Sequence, residues 1–207
     1  MSSSRSTLLI GDSRVKNIKS SHFTTKSFPG AKFHFIYQHI IEHAAQFNKT
    51  YNLVIVAAGI NSVSDKIIFQ NHSERRELFK SIEKDVKKIE DALHMSVVFA
   101  TMVSRELVKV AKAFPSKCSF HYSVITPDLQ TSFEQFIFSV NNEIFAAANE
   151  KHGMHCAFHA DCRMKTSRRA GRKLRVMYDR LSSDGLHPTQ DLVRRWIKRV
   201  ERLVAEH

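Results

Sequence analysis

The sequence predicts a parallel α/β protein, in which helices cover both faces of a sheet of buried strands. Short runs rich in β-branched and apolar residues alternate with longer segments in which apolar residues recur every three or four positions. This alternation is typical of parallel strands joined by helical crossovers. The chain has 207 residues, 43% of them hydrophobic, which suits one globular domain spanning residues 1–207.

The expected strands are short apolar runs, and the expected helices are longer amphipathic segments. Runs suited to buried strands lie at 7–10, 33–37, 53–57, 96–101 and 154–158, so the sequence predicts a sheet of about five strands. Apolar spacing predicts one helix over about 74–94, with Asn71 or Ser73 as its N-cap. A second helix is expected over about 131–150.

The end of the chain predicts a basic amphipathic helix over about 190–206, beginning just after Pro188. Apolar residues including Trp196 lie on one side of this helix, and arginine and lysine lie on the other. A second basic segment, at about 163–180, holds eight Lys or Arg against one Asp. We interpret that segment as an exposed insertion.

The charge balance favours an anionic partner or substrate. The chain carries 32 Lys and Arg against 20 Asp and Glu, a formal net charge of +12. The basic residues fit a solvated surface, an RNA or DNA contact, or an anionic membrane surface, and the sequence leaves these alternatives open. The candidate nucleic-acid-binding residues are Arg168, Arg169, Arg172, Lys173, Arg175, Arg194, Arg195, Lys198 and Arg199. Binding through such residues would be largely indifferent to base sequence.

Several protein classes are excluded or disfavoured. No apolar run approaches the roughly 18 residues of a membrane span, and the apolar run at 8–10 is too short for a secretory signal. The three cysteines, Cys118, Cys156 and Cys162, lack the spacing of a disulfide framework, which favours a reducing compartment. A cytoplasmic protein is therefore expected. The chain contains neither a Gly-x-Ser-x-Gly elbow nor a phosphate-binding Walker loop.

Polar residues gather where the predicted strands begin or end. Gly11-Asp12-Ser13 follows the first strand, Gly30 precedes the second expected strand, and Asn61 follows the third. Because the carboxyl ends of parallel strands converge on one crevice, these residues are candidates for a common site. The segment Asp184-Gly185-Leu186-His187 precedes the last predicted helix. Its aspartate and histidine can be carried by one turn.

Together these residues supply the parts of an acyl-transfer site. A serine hydroxyl becomes a good nucleophile when an imidazole accepts its proton and a carboxylate orients that imidazole. Ser13, His187 and Asp184 offer this combination. The backbone N–H groups of Ser13 and Gly30 and the side-chain amide of Asn61 are the candidate donors of an oxyanion hole. No metal or cofactor is expected.

These motifs, in this chain order, resemble those of the SGNH hydrolases, also called GDSL esterases and lipases. The resemblance covers almost the whole chain and implies a flavodoxin-like three-layer α/β/α fold. It also implies Ser13 as nucleophile, His187 as base and Asp184 as its orienting residue, with Gly30 and Asn61 as oxyanion donors. The sequence departs from many members at Arg14 and Ser62. Arg14 is expected to alter the start of the first helix or to place a charge near the mouth of the site.

The short form of the motifs is most similar to the esterase domains of animal retroelement proteins. The Oskar C-terminal domain is similar in fold but has lost the catalytic set and binds RNA. Two hypotheses follow. The first is a serine esterase acting on a carboxyl ester, with a small ester or lipid as substrate. The alternative is a non-catalytic RNA-binding module in a ribonucleoprotein.

Each motif also has an ordinary structural explanation. Ser13 suits a helix N-cap and Asn61 suits a turn. Gly30 suits a type II turn after Pro29. A further group has residue types that bind zinc, but irregular spacing argues against a site, so no metal ligand is assigned to His155, Cys156, His159 or Cys162. The segment 103–130 is expected to line or cover the site with Phe114, Phe120, Tyr122 and Pro127.

Overall fold

A parallel sheet of four strands forms the centre of the molecule. The computed structural model describes residues 6–69, 71–165 and 174–207, without the side chains of 163–165 and 174–176. The strands are β1 (Ser6–Gly11), β2 (Phe23–Ser27), β3 (Tyr51–Ala57) and β4 (Ser96–Phe99), in the order β2-β1-β3-β4. All three neighbouring pairs are parallel. The predicted α/β class with a parallel sheet is confirmed.

The fifth strand expected at 154–158 is reduced to a single bridge. Ala100 pairs in parallel with Cys156, and the backbone N–H of Thr101 donates to the carbonyl oxygen of Cys156 at 3.0 Å. The neighbouring residues turn away into a 3₁₀ helix at Phe158–Cys162. A separate antiparallel pair is formed by β5 (Arg163–Lys165) and β6 (Leu174–Val176).

The strand predicted at 33–37 is wrong, because these residues begin a helix. The residues Phe33–Glu42 form α1, which buries Phe33, Ile36 and Ile40 on one face. The second strand is instead β2, a Thr-rich edge strand without an apolar run. Gly30 therefore follows a strand rather than preceding one, and it lies at the carboxyl end of the sheet with Ser13 and Asn61.

The other helices complete the two outer layers. They are α2 (Ala44–Thr50), α3 (Asp65–Ile68), α4 (His72–Ala92), α5 (Leu107–Ala113), α6 (Pro127–Val140), α7 (Ala147–Glu150) and α8 (Gln190–Glu206). Asn71 caps α4, since its side chain accepts from the N–H of Glu74. A π-helical stretch at Asn141–Ala146 joins α6 to α7. Among the helices in the described ranges, none combines the length and apolar composition that a membrane crossing requires.

Two apolar clusters, one on each face of the sheet, hold the three layers together. On one face Phe33, Phe99 and Phe145 are buried with residues of α4 and α6. On the other face, Trp196 of α8 is buried in one cluster with Leu9 of β1. Burying a large apolar side chain contributes about 1.5–3 kcal/mol. Because the strands are covered on both faces, their carboxyl ends are left as the open edge where polar groups meet water.

Two buried asparagines stand in for a neighbouring strand beyond β4. The Asn149 carboxamide accepts from the N–H of Phe99 at 2.7 Å and donates to its carbonyl oxygen at 2.8 Å. Asn141 makes the same pair of bonds with Met102, at 2.7 and 2.8 Å. The π-helical stretch begins at Asn141 and lies between these two side chains. The backbone groups on the outer edge of β4, and on the segment that follows it, are thereby hydrogen-bonded without a fifth strand.

Candidate active site

Ser13 lies at the carboxyl end of β1, at the start of a short 3₁₀ helix, Ser13–Val15. Asp12 caps this turn, because its Oδ1 accepts from the N–H of Arg14 at 2.9 Å. The predicted capping role therefore belongs to Asp12 rather than to Ser13. The hydroxyl of Ser13 is directed toward the loop that precedes α8.

The structure brings Ser13, His187 and Asp184 into one hydrogen-bonded chain. The distance from Ser13 Oγ to His187 Nε2 is 3.1 Å, across 174 residues of sequence. His187 Nδ1 lies 2.6 Å from Asp184 Oδ2. A carboxylate can only accept, so the proton of a neutral His187 lies on Nδ1. Nε2 is then the atom that accepts from the serine hydroxyl.

Asp184 is held in place by its own loop. Its Oδ1 accepts from Ser182 Oγ at 2.6 Å, from the N–H of Leu186 at 2.9 Å and from the N–H of His187 at 3.0 Å. Burial raises the pKa of Asp184, but the hydrogen bonds from Ser182, His187 and the backbone outweigh it and hold the pKa well below its ordinary value. These hydrogen bonds therefore favour the ionised carboxylate at neutral pH.

The same loop is docked on α5 through Gly185. Gly185 has a φ of 68°, and a Cβ added there would lie 2.9 Å from the carbonyl oxygen of Glu106. The N–H of Glu106 in turn donates to the Gly185 carbonyl oxygen at 3.0 Å. A side chain at position 185 would be strained and would push the loop away. The glycine thus fixes the position of His187 relative to the sheet.

Gly30 and Asn61 line the same cleft as Ser13 and His187. Gly30 has a φ of 76°, and a Cβ added there would meet no atom within 4 Å. The reason for glycine at this position is therefore the backbone conformation, as in the turn predicted after Pro29, and not a close approach of atoms. The Asn61 side-chain N–H donates to the Ala31 carbonyl oxygen over a long 3.3 Å. The structure gathers all the residues of the predicted oxyanion hole at one edge.

The cleft beside Ser13 has a volume of about 740 Å³ and a mixed lining. Its apolar wall includes Leu107, Val110, Phe114, Phe120 and Leu186. The expectation that 103–130 lines the site holds for Phe114 and Phe120, whereas Tyr122 and Pro127 lie outside the lining. A second opening, of about 360 Å³, also borders Ser13 and His187, and its lining includes Lys16, Asn17 and Pro188.

Two cations in the cleft were not singled out from the sequence. Arg105 and Lys117 both line the cleft. Arg105 donates to the Val63 carbonyl oxygen at 3.0 Å, and burial lowers its pKa to about 10. Arg105 lies in the loop between β4 and α5, and Lys117 ends a short 3₁₀ turn after α5, so neither lies on an element with a periodic pattern. The one sequence signal for them was the expectation that segment 103–130, which contains both residues, lines or covers the site.

Arg14 contributes to the lining of the second opening beside Ser13, but its side chain is buried, so it is not an exposed charge at the mouth of the site. The residue is 7% exposed, and its Nη1 donates to the Val103 carbonyl oxygen at 2.5 Å. Its Nε and Nη2 have no hydrogen-bond partner in the described part of the chain. Burial lowers the pKa of Arg14, while Asp12 and Asp184 act in the opposite direction. A buried cation therefore lies near the carboxylates of Asp12 and Asp184.

Of the nine candidate nucleic-acid-binding residues, four side chains on α8 are described. Arg168, Arg169, Arg172 and Lys173 lie outside the described residues, as does the side chain of Arg175. Arg194 and Lys198 are exposed. Arg195 pairs with Asp191 at 2.9 Å, and Arg199 makes two bonds to Asp161, at 3.0 and 2.8 Å. Arg199 is thus engaged within the fold.

The four residues with zinc-binding side-chain types do not form a cluster in the described structure. Cys156 and Cys162 are buried, and His159 Nδ1 lies 2.6 Å from Thr101 Oγ1. Burial raises the pKa of each of these thiols to about 12. Within the described ranges, the ligand atoms that do gather belong to His39, Glu42 and His43 on α1.

Comparison with known proteins shows similarity at the level of structure. No family model matches the chain, and no curated protein matches it. A GDSL-like lipase from Bacteroides thetaiotaomicron superimposes with a TM-score of 0.65 at 13% identity, over 98% of this chain and 88% of that one. The chain has the fold of the GDSL-like lipases.

Two further solved structures share the fold. An acetyl xylan esterase gives a TM-score of 0.58 at 11% identity, over 95% of this chain and 98% of its own. A lipase/acylhydrolase from Enterococcus faecalis gives 0.56 at 13% identity, over 98% and 96% of the two chains. The similarity extends over nearly the whole length of each chain.

Proposed function

We propose that the protein is a serine esterase that hydrolyses a carboxyl ester through Ser13, His187 and Asp184. The observation that carries this proposal is the unbroken chain of hydrogen bonds from Ser13 Oγ through His187 to Asp184, at 3.1 and 2.6 Å. The fold shared with lipases and esterases supports a hydrolytic acyl transfer. The distances already suit proton transfer from the serine hydroxyl.

In the acylation step, Ser13 Oγ attacks the ester carbonyl carbon while His187 Nε2 takes the hydroxyl proton. The carbonyl π bond opens and its oxygen becomes an oxyanion. Asp184 stabilises the imidazolium that forms on His187. When the tetrahedral intermediate collapses, His187 returns the proton to the departing alkoxide, and the alcohol leaves. The acyl group is then bound to Ser13 as an ester.

The oxyanion would be stabilised by N–H donors at the carboxyl edge of the sheet. The backbone N–H groups of Ser13 and Gly30 and the side-chain amide of Asn61 are the proposed donors. Asn61 holds only a long bond to Ala31 in the free protein, 3.3 Å, so its amide can turn to a stronger acceptor at little cost. Donors of this kind act on charge that develops in the transition state.

In the deacylation step, His187 Nε2 takes a proton from a water molecule that attacks the acyl carbon. The second tetrahedral intermediate collapses, His187 protonates Ser13 Oγ, and a carboxylic acid leaves. Two openings border Ser13, so the acyl part of the ester could occupy one of them and the alcohol part the other. The apolar wall of the larger opening favours an ester with a substantial apolar part.

The test is labelling with a fluorophosphonate, which forms a P–O bond to an activated serine and releases fluoride. The full chain should become labelled and should hydrolyse p-nitrophenyl acetate, and Ser13→Ala should abolish both. Ser64→Ala is the matched control, since Ser64 lines the same cleft and is exposed. Labelling retained in Ser13→Ala, or no labelling of the unmodified chain, would refute the proposal.

A further inference from the structure

Three side chains with metal-binding atoms meet at the end of α1, outside the cleft. They are His39, Glu42 and His43, and their ligand atoms all lie within 4.8 Å of one another. The two histidines are four residues apart and therefore project from one face of the helix. None of the three lines either opening beside Ser13. The cluster is therefore separate from the proposed esterase site.

One ring nitrogen of His43 is hydrogen-bonded to the backbone, which leaves the other nitrogen available to a metal ion. Its Nδ1 lies 2.9 Å from the carbonyl oxygen of His39, so Nδ1 carries the proton and Nε2 keeps a free electron pair. The His43 ring also stacks on Phe47, with centroids 6.0 Å apart. A backbone carbonyl bonded to one ring nitrogen is the usual outer-shell partner of a metal-binding histidine.

His39 and Glu42 complete the set with groups that lack strong partners in the fold. The Nε2 atom of His39 is buried and has no hydrogen-bond partner among the described residues. Its ring packs between Phe28 and His43, with centroids 4.7 and 4.2 Å away. Glu42 is exposed, and within the described ranges it forms no ion pair with a lysine or arginine. A buried ring nitrogen without a partner requires an explanation.

We propose that His39, Glu42 and His43 bind one divalent transition-metal ion, with Zn²⁺ as the best fit. Two imidazoles and one carboxylate are a known zinc-binding set, and imidazole ligands disfavour Mg²⁺ and Ca²⁺. Tetrahedral zinc with Zn–N bonds near 2.0–2.1 Å places ligand atoms about 3.3 Å apart. The present ligand atoms lie within 4.8 Å of one another, so binding would require rotation of the exposed Glu42 side chain and a small shift of the two rings.

The ion would brace the joint between two helices. His43 ends α1 and also precedes α2, whose Phe47 donates its N–H to the His43 carbonyl oxygen at 2.9 Å. An ion on His39 and His43 links the last turn of α1 to this joint. The folded helix holds the two imidazoles on one face, so the ion should bind the folded chain more tightly than the unfolded chain and raise the unfolding temperature. Lys26 is a cation near the cluster and should oppose binding of the metal ion. Its ammonium lies 5.6 Å from the centre of the Phe28 ring, and its charge lowers the pKa of His39.

The experiment is titration of the full chain with Co²⁺ and Zn²⁺. One equivalent of Co²⁺ should give visible absorption of a four-coordinate ion without a sulfur-to-metal charge-transfer band, and Zn²⁺ should displace it. His39→Ala and His43→Ala should each weaken Zn²⁺ binding by at least about tenfold, since even loss of an outer-shell partner has an effect of that size. Glu42→Gln, at an exposed position, should weaken binding without disturbing the fold.

The controls are His72→Ala and Glu77→Gln, both exposed on α4 and outside the cluster. They should bind Zn²⁺ as the unmodified chain does. Lys26→Gln should tighten binding, because it removes the opposing charge. Binding that survives His39→Ala and His43→Ala, a charge-transfer band from a cysteine, or no stoichiometric binding at all would overturn the proposal. Fluorophosphonate labelling is unaffected in every case, so the two proposals fail independently.

Discussion

At the scale of single residues, Asp184 shows how a short loop can hold one carboxylate in a single orientation. One carboxylate oxygen accepts three local hydrogen bonds, and the other is left for His187. The side chain therefore has one orientation, and it fixes the imidazole in the tautomer that faces Ser13. A three-residue separation is enough because Gly185 allows the turn between the two residues.

We expect Asp184→Asn to lower kcat by about 10⁴-fold, because the amide favours the wrong tautomer of the base. The measurement is the rate of p-nitrophenyl acetate hydrolysis at saturating substrate, with circular dichroism to confirm folding. Asp191→Asn is the control, since Asp191 pairs with Arg195 on the exposed face of α8. Equal losses in the two variants would show that Asp184 has no special role.

The same carboxylate should make folding sensitive to acid. The folded-state pKa of Asp184 lies below its unfolded value of about 3.9, so its contribution to stability is complete above that pH. The contribution is lost as the pH falls below about 4 toward the folded-state pKa. Urea unfolding between pH 7 and pH 3 should show a smaller acid-induced loss in Asp184→Asn than in the unmodified chain. A loss of the same size in both would contradict this.

The sequence predicted the candidate site residues that belong to recognisable motifs. It did not predict the residues whose role depends only on their position in the tertiary structure. The proximity of Ser13, Asp184 and His187 was predicted from motif order and strand ends, and it is present in the structure. The burial of Arg14 and the position of Arg105 in the cleft were not predicted. Neither the burial of a side chain nor the loop that packs beside it can be inferred from the residue type alone. An arginine buried at 7% exposure also contradicts the usual preference of that side chain for water.

At the scale of elements, β2 and α1 show where periodicity misleads. The five residues from Phe33 to Tyr37 alternate as a strand does, but burial of Phe33, Ile36 and Ile40 follows the helical period over a longer window. In contrast, β2 is an edge strand with little apolar content, so it gives no strong signal. The long helices α4 and α8 were predicted well because many turns repeat one pattern.

We expect Asn149→Leu to destabilise the protein by about 2–3 kcal/mol. The change leaves the N–H and the carbonyl oxygen of Phe99 buried and without partners, and each such group costs about 1–3 kcal/mol. The measurement is urea unfolding at neutral pH. Asn142→Leu serves as the control, because Asn142 is exposed on the π-helical stretch that precedes α7. A stability loss below about 0.5 kcal/mol in Asn149→Leu would refute the role assigned to the hydrogen bonds between Asn149 and Phe99.

At the scale of the whole molecule, the positive charge should act on substrate capture. The net charge is +12, and Arg105 and Lys117 lie in the cleft. A positive cleft attracts anionic ligands, and salt screens that attraction. For an aryl acetate carrying a carboxylate, kcat/KM should fall severalfold between low and physiological ionic strength. For its neutral counterpart, kcat/KM should change little.

Lys117→Gln should remove much of this salt dependence, whereas Lys80→Gln should not. Lys80 is exposed on α4, so the two variants change the net charge equally and differ only in position. Equal salt effects on the anionic and neutral esters would contradict a role for the cleft charge. The wider predictions of kinship with retroelement esterase domains, of RNA binding and of a cytoplasmic location stay predictions.

The fold class was predictable because alternating apolar runs and amphipathic segments are a property of the whole chain. The strand number was not, since a carboxamide from a helix can occupy the edge that a fifth strand would fill. Asn141 and Asn149 carry no sequence signal that distinguishes them from surface asparagines. Only the packing of α6 and α7 places them against β4.

Ser13 and the proposed base His187 are separated by 174 residues, and this has a consequence for synthesis. A nascent chain that has grown past Ser13 but not past His187 holds an ordinary alcohol with no proton acceptor beside it. Reactivity of Ser13 toward esters should therefore arise only once the segment that carries His187 has been made and has packed on the sheet. Until then, a fluorophosphonate should not label Ser13.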